Sequence, residues 1–215
     1  MDVFQAIENG SLLDVREIVE RDRTTLSATN RIGFSPLMTA IGNMERKFEI
    51  IEYLVKAGAD VNFKTKEGYT PLHANVDLNG PTCYGELPYK VACLLKDNGA
   101  DTEACNHYGW TPLMRAALEG TPAEFEALLR IGARFDLTFP PHSMPEFSRG
   151  QSLVSIVLDD LEKLCLLLGF GLVPDSSLLD AARNKFAQVR DSNSAYAQGL
   201  KKSLELLKKK STPSS

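Results

Sequence analysis

Three segments, GFSPLMTA at 33–40, GYTPLHAN at 68–75 and GWTPLMRA at 109–116, share one pattern; KAGADVN at 56–62, DNGADTE at 97–103 and RIGARFD at 130–136 share a second. Self-similarity at a period of tens of residues restricts a chain to an array of one supersecondary unit, because a single copy cannot bury its apolar face alone. The residue types predict the unit. Ser35, Thr70 and Thr111 are helix-capping hydroxyls, and each is followed by a proline suited to a first helical turn, where a missing N–H costs nothing. Leu37, Leu72 and Leu113 then point inward, and small residues (Ala40, Ala74, Ala116) let helices approach. Gly58, Gly99 and Gly132 follow leucine-rich runs, as left-handed helix caps do. Ten positions separate Gly58 from Gly68, and again Gly99 from Gly109, enough for a tight hairpin-like finger.

The Thr-Pro-Leu-His of residues 70–73 and the Gly-Ala-Asp of 58–60 and 99–101 resemble the ankyrin repeat, over roughly residues 2–175. The resemblance implies an all-α fold, a solenoid of helix-turn-helix units with short hairpin fingers. It divides the chain into units at about 2–31, 32–64, 65–104, 105–136 and 148–175. The first unit lacks the Thr-Pro-Leu signature but keeps the two-helix pattern, with Phe4, Ile7, Leu13, Val15, Ile18 and Val19 as expected core, and reads as an N-terminal cap. In the degenerate fifth unit Gly171 takes the helix-ending place. Residues 176–210 follow as a C-terminal helical cap, with Tyr196, Leu200, Leu204 and Leu207 as its docking stripe, and 211–215 as a tail. Lys208, Lys209 and Lys210 suit a helix C-terminus and need no nucleic acid to explain them. For His73 the resemblance implies a structural hydrogen bond within and between repeats.

Two departures from the period stand out. An ankyrin repeat has about 23 residues between the glycine before Thr-Pro-Leu and the glycine after the second helix. Gly109 to Gly132 spans 23, Gly33 to Gly58 spans 25, and Gly68 to Gly99 spans 31. The extra residues of the third repeat lie in 75–88, where Pro81 and Pro88 discourage a helix, and the second helix resumes by Tyr89. The small expansion GNMERK at 42–47 is expected beside that loop, forming one rim. Between the fourth and fifth units, Gly132 to Gly150 spans 18 residues instead of ten, lengthening a finger within 137–149. Long loops are thermodynamically tolerated, so their apolar composition rather than their length suggests binding, with packing back on the array as the alternative.

The chemistry of catalysis is sparse. Three histidines limit acid–base and metal schemes, no serine sits in a nucleophile elbow, and the glycines fall at repeat distances rather than in a phosphate loop. Asp159 and Asp160 mark a turn between helices of the fifth unit. Four scattered cysteines without a CxxC pair read as free thiols, with Cys93 and Cys165 buried in leucine-rich runs. No enzyme activity, cofactor or metal is expected. A net charge of −4 gives no reason to expect nucleic acid, and the absence of long apolar runs or a basic leader points to a cytoplasmic chain with no membrane partner, monomeric when free.

The resemblance implies a curved array whose concave side, lined by fingertips and the first helix of each repeat, binds proteins. On this sequence the fingertip positions are Arg31, Ile32 and Phe34; Lys66, Glu67 and Tyr69; and His107, Tyr108 and Trp110. Phe34, Tyr69 and Trp110 each follow a glycine, and such a ladder either contacts a partner or packs between repeats. Asp77 and Glu119 lie near the far ends of first helices. Tyr84, Glu86 and Leu87 stand in the third-repeat insertion, and Phe139 and Phe147 in the lengthened finger. All are candidate partner contacts, since aromatic anchors with polar handles suit interfaces. The expected function is a protein-binding module that sequesters or inhibits one partner, possible forms being an immunity protein neutralising a bacterial toxin or an adaptor bridging two proteins.

Overall fold

The computed structural model describes residues 1–43, 47–76, 86–189 and 195–211. These fall into two compact units, Met1–Ala133 and Arg134–Ser215. No β-strand occurs among the described residues.

The first unit is built of helix pairs: α1 (Val3–Glu8) with α2 (Leu12–Arg21), α3 (Pro36–Gly42) with α4 (Phe48–Lys56), α5 (Pro71–Ala74) with α6 (Leu87–Asp97), and α7 (Pro112–Leu118) with α8 (Pro122–Arg130). The predicted starts are realised. Ser35, Thr70 and Thr111 accept from the backbone N–H groups of Met38, His73 and Met114, with proline in the first turn each time. The helix-ending glycines, Gly58, Gly99 and Gly132, have φ of 97°, 88° and 86°. First helices pack on first helices (α1, α3, α5, α7) and second helices on second (α2, α4, α6, α8), so each pair buries its apolar stripe against the next. Leu37, Leu54, Leu95, Leu113, Phe125 and Leu128 are fully enclosed in this way. Burying one such side chain is worth about 1.5–3 kcal/mol.

Two expectations about the second helices of this unit need correction. Leu13 is exposed at 79% rather than core. Ser11 caps α2 so that Val15, Ile18 and Val19 face inward, and a residue two places before Val15 then points about 160° away. The second helix of the third repeat also begins at Leu87, with Pro88 inside its first turn rather than ahead of it. Proline lacks only an N–H that the first turn would leave unbonded.

In the second unit, Phe139 donates its N–H to the Gln151 carbonyl (2.8 Å), and its own carbonyl accepts from Gly150 (3.1 Å). These bonds close a hairpin with an antiparallel bridge at Thr138 and Ser152, and a 3₁₀ turn at Glu146–Ser148 lies within it. The helices are α9 (Leu153–Ile156), α10 (Leu161–Gly169), α11 (Ser176–Ala187) and α12 (Ala195–Ser211). Asp159 and Asp160 do sit at the turn before α10. Asp160 caps it through the Lys163 N–H (3.1 Å), while Asp159 pairs with Lys185 (3.4 Å). The α12 stripe docks through Leu200 and Leu207 onto Leu158, Leu164 and Ala182, with Leu204 partly buried alongside. The side chain of Tyr196, expected on that stripe, lies outside the described residues. Cys165, expected buried, is exposed on α10, and Cys93 on α6 of the first unit, also expected buried, is half-buried. None of the described helices is long and apolar enough to cross a membrane.

Candidate functional site

The fingers of the first unit are held by one device used three times. The Asn30 N–H donates to the Phe34 carbonyl (2.9 Å) while the Asn30 side-chain oxygen accepts from the Phe34 N–H (3.0 Å). Thr65 and Tyr69 repeat this with a hydroxyl (3.0 and 3.2 Å), and Asn106 and Trp110 with an amide (3.0 and 3.0 Å). Each loop is thus locked by its own first residue, with a left-handed glycine (Gly33, Gly68, Gly109) inside. Neighbouring fingers are joined. The His107 N–H donates to the Glu67 carbonyl (2.8 Å), and the Asn62 side chain donates to the Gly99 carbonyl and accepts from the Asp101 N–H, each at 2.9 Å.

This close approach makes Gly68 sensitive. Its φ is +80°, and a Cβ there would meet the Asn106 Cα at 3.0 Å, whereas a Cβ at Gly33, with φ +83°, would meet nothing within 4 Å. Gly68→Ala is therefore expected to destabilise the chain by about 1–3 kcal/mol, and more than Gly33→Ala, which adds backbone strain without the collision. Urea denaturation of the two variants checks the order; equal losses would show that the finger contact contributes nothing.

Behind the fingertips lies a buried polar junction. His73 Nε2 is 2.9 Å from the Trp110 carbonyl, and Nδ1 is 3.2 Å from the Thr70 amide N. A carbonyl only accepts and an amide N–H only donates, so the ring must carry its proton on Nε2 and be neutral. Burial, the largest cause, lowers the His73 pKa to about 4; the bond to Trp110 opposes the shift, and the charges of Arg115 and Lys64 add to it. Arg115 donates to the His73 carbonyl (3.3 Å), pairs with Glu119 (3.2 Å), and places its guanidinium 4.6 Å from the centre of the Tyr69 ring. Tyr69 meets His73 edge-on at 5.6 Å. The His73 bonds inferred from the resemblance are present.

The candidate contacts divide accordingly. Lys66, Glu67, His107 and Glu119 are exposed, and Phe34 and Tyr69 are half-buried. Tyr108 is 41% exposed, and Ile32 beside its finger glycine is 68% exposed. Trp110 is a correction: at 4% exposure its ring supports the finger from inside, tilted against Tyr108 at 5.4 Å, and presents no face to a partner. Phe139, 1% exposed, is likewise interior to the second unit, whereas Phe147 there is 67% exposed. Asp77 and Tyr84 lie outside the described residues, as does most of the expected rim. Glu86 is exposed and Leu87 half-buried at the N-terminal end of α6. Helix α6, eleven residues and about 16 Å long, runs from these two positions to the finger that leaves its other end, so Glu86 and Leu87 lie on a surface distinct from that finger. Both Glu86 carboxylate oxygens accept from Arg130 at 3.3 Å, and the Arg130 guanidinium stacks 3.4 Å from the Tyr89 ring centre.

Sequence reasoning missed Arg115 and the three finger locks. The locks had a legible signal, a polar residue three places before each finger glycine (Asn30, Thr65, Asn106). Among the described residues no group of three or more His, Cys, Asp or Glu is placed to hold a metal ion.

The ankyrin repeat family model matches residues 32–66, the stretch from the first locked finger to the second. This stretch is an ankyrin repeat. The chain is 28% identical over 158 residues to an ankyrin repeat protein of Rickettsia bellii, covering 73% of this chain and 43% of that one. It is 39% identical over 84 residues to protein fem-1 homolog A of Danio rerio, covering 36% of this chain and 14% of that one. Over 106 residues it is 29% identical to protein phosphatase 1 regulatory subunit 27 of Homo sapiens, covering 49% of this chain and 62% of that one. The chain thus spans less than half the length of the first two relatives. Ankyrin repeats are protein-interaction modules, and the locked fingers of this chain present Arg31, Ile32, Lys66, Glu67, His107 and Tyr108 outward.

Proposed function

We propose that this ankyrin repeat chain is a non-enzymatic binding module that sequesters or inhibits one protein partner through the fingertips of its first unit. The observation that carries the reading is the row of exposed side chains on locked fingers: Arg31 and Ile32, Lys66 and Glu67, His107 and Tyr108. Each pair lies between a lock residue and its glycine, so the row is fixed before a partner arrives. Rigid presentation lowers the ordering cost of association, and the mixture of apolar, aromatic and charged groups suits a protein surface. We read the array as extending through five units to about residue 175, with the helices after it as a cap. A regulatory subunit among the relatives agrees with an inhibitory or positioning role.

The test is affinity capture with the full chain and with an Ile32→Glu, Tyr108→Ala double variant, both exposed positions whose replacement spares the core. One stoichiometric protein, recovered with the parent chain and at least about tenfold depleted with the variant, is the expected result. Growth arrest when that protein is expressed alone would identify the toxin-neutralising form of the role. Equal recovery by both chains would move the binding surface off the fingertips, and recovery of no protein would overturn the reading.

A further inference from the structure

A helix pair that caps a repeat array is expected to turn a polar face to water. The outer side of α1 and α2 departs from this. It holds an open trough of about 820 Å³, lined on one side by α1 and on the other by Arg21, the 3₁₀ turn Arg23–Ser27 and the first finger. Both α1 and that turn pack on α2 and α3, which lie beneath. Met1 (61%) and Ile32 (68%) are exposed along the trough, Phe4 is half-buried, and Ile18 lies in its floor. We propose that a second copy of this chain docks here and forms a two-fold symmetric dimer. The proposal goes beyond the fingertip reading and does not rest on it, although Arg31 and Ile32 belong to both surfaces.

The argument is one of charge. From α1 come the carboxylates of Asp2 and Glu8, and from the other side the guanidinium groups of Arg21 and Arg31, all four residues being exposed. Glu8 and Arg31 make no ion pair or side-chain hydrogen bond among the described residues. Asp2 accepts from the Gln5 N–H (2.9 Å) as the cap of α1, which leaves its charge in place. Arg21 feels the adjacent Asp22 through space, while the Asp22 carboxylate is bonded to the Thr24 N–H (2.9 Å) and hydroxyl (2.7 Å). The trough is therefore acidic on one side, basic on the other and apolar between. Such a face is complementary to itself. A two-fold axis along the trough lays the acidic side of each copy over the basic side of the other, so every favourable pairing occurs twice; an axis across it sets like charge on like.

The same pattern argues against other occupants. A nucleic acid or an anionic membrane is repelled by Asp2 and Glu8 on one side, and a peptide of a single charge sign matches one side and opposes the other. In the dimer Arg31 and Ile32 are covered, so self-association and capture of a protein partner compete for the first finger.

Sedimentation equilibrium of the full chain with no partner present is the test, up to about 200 µM, enough to populate a dimer of about 0.1 mM affinity. A reversible monomer–dimer equilibrium is expected for the parent. Arg21→Glu with Arg31→Glu makes both sides acidic. Asp2→Asn with Glu8→Lys leaves cations on both sides, and asparagine keeps the α1 cap. Each double variant is expected to dimerise at least about tenfold more weakly than the parent, and an equimolar mixture of the two to recover a 1:1 complex. All four positions are exposed, and an unchanged thermal transition shows that each variant folds. A parent that stays monomeric overturns the proposal, as do folded variants that dimerise like the parent or a mixture of them that stays monomeric. Assembly that continues past the dimer also overturns it, since that is the mark of a head-to-tail contact.

Discussion

Trp110→Ala is expected to lower the unfolding free energy of the chain by about 3–5 kcal/mol, the range for truncating a large aromatic ring in a close-packed interior. A contact residue on a fingertip would behave otherwise, losing affinity for a partner while the free protein kept its stability, because surface truncations away from special features stay within about 0.5 kcal/mol. The difference follows from where the ring sits. The Trp110 main chain closes the finger onto Asn106 and accepts the His73 proton, while its side chain is enclosed and lies against Tyr108. Removing the ring leaves a void at the junction where α5, α7 and their finger meet, and the backbone bonds cannot close over it. Chemical denaturation of the parent, Trp110→Ala and Tyr108→Ala, with no partner present, distinguishes the cases. A loss confined to Trp110→Ala supports an interior role; a Trp110→Ala chain as stable as the parent would return the ring to the binding surface.

Acidification from pH 6.5 to pH 4 is expected to remove up to about 3 kcal/mol through His73 alone. Its folded pKa of about 4 lies below its ordinary value of 6.5, so between these limits the unfolded chain takes up a proton that the folded chain refuses. Stability from this group is complete above pH 6.5 and is lost as pH falls through the window. Each tenfold difference in proton affinity is worth about 1.4 kcal/mol, which sets the total. The structural cause is the same pair of bonds that fixes the tautomer. A second proton on Nδ1 would face the Thr70 N–H, with Arg115 and Lys64 adding like charge. The urea midpoint of the parent chain should therefore fall more steeply between pH 6.5 and 4.5 than that of His73→Gln, and parallel curves would sink the idea.

The parts of this fold legible in the sequence are those that short-range chemistry specifies. Ser35, Thr70 and Thr111 announce helix starts because capping needs only a hydroxyl and the next three residues, and Gly99 announces a stop because its conformation is local. Pro88 is ambiguous in sequence because proline is a breaker in mid-helix and harmless in the first turn, and only the register decides which. Leu13 is ambiguous for a related reason: apolar character does not reveal which side of a short helix a residue occupies once a cap has set the phase. The site was less legible than the fold. Trp110 and Tyr108 stand on either side of the same glycine, and composition makes either one an anchor. Their separation into an enclosed ring and an exposed one depends on contacts with His73 and Asn106 that belong to different repeats or to the main chain. Asn106 shows the cost of one such long-range change. In the finger at Asn30 the side-chain nitrogen donates to Thr39 (3.3 Å), but the residue nine places after Asn106 is Arg115, whose side chain has no acceptor to offer, and the Asn106 nitrogen has no hydrogen-bond partner among the described residues.

The bonds that join adjacent fingers run mainly to main-chain atoms: the His107 amide to the Glu67 carbonyl, and the Asn62 side chain to the Gly99 carbonyl and the Asp101 amide. The side chains of Lys66, Glu67 and His107 extend outward from this join and are not the groups that form it. If the fingertips bind as proposed, folding and recognition draw on different atoms of the same residues. Substitutions at these tips would then change which protein is recognised while the scaffold beneath stays as it is, leaving partner choice free to diverge faster than architecture.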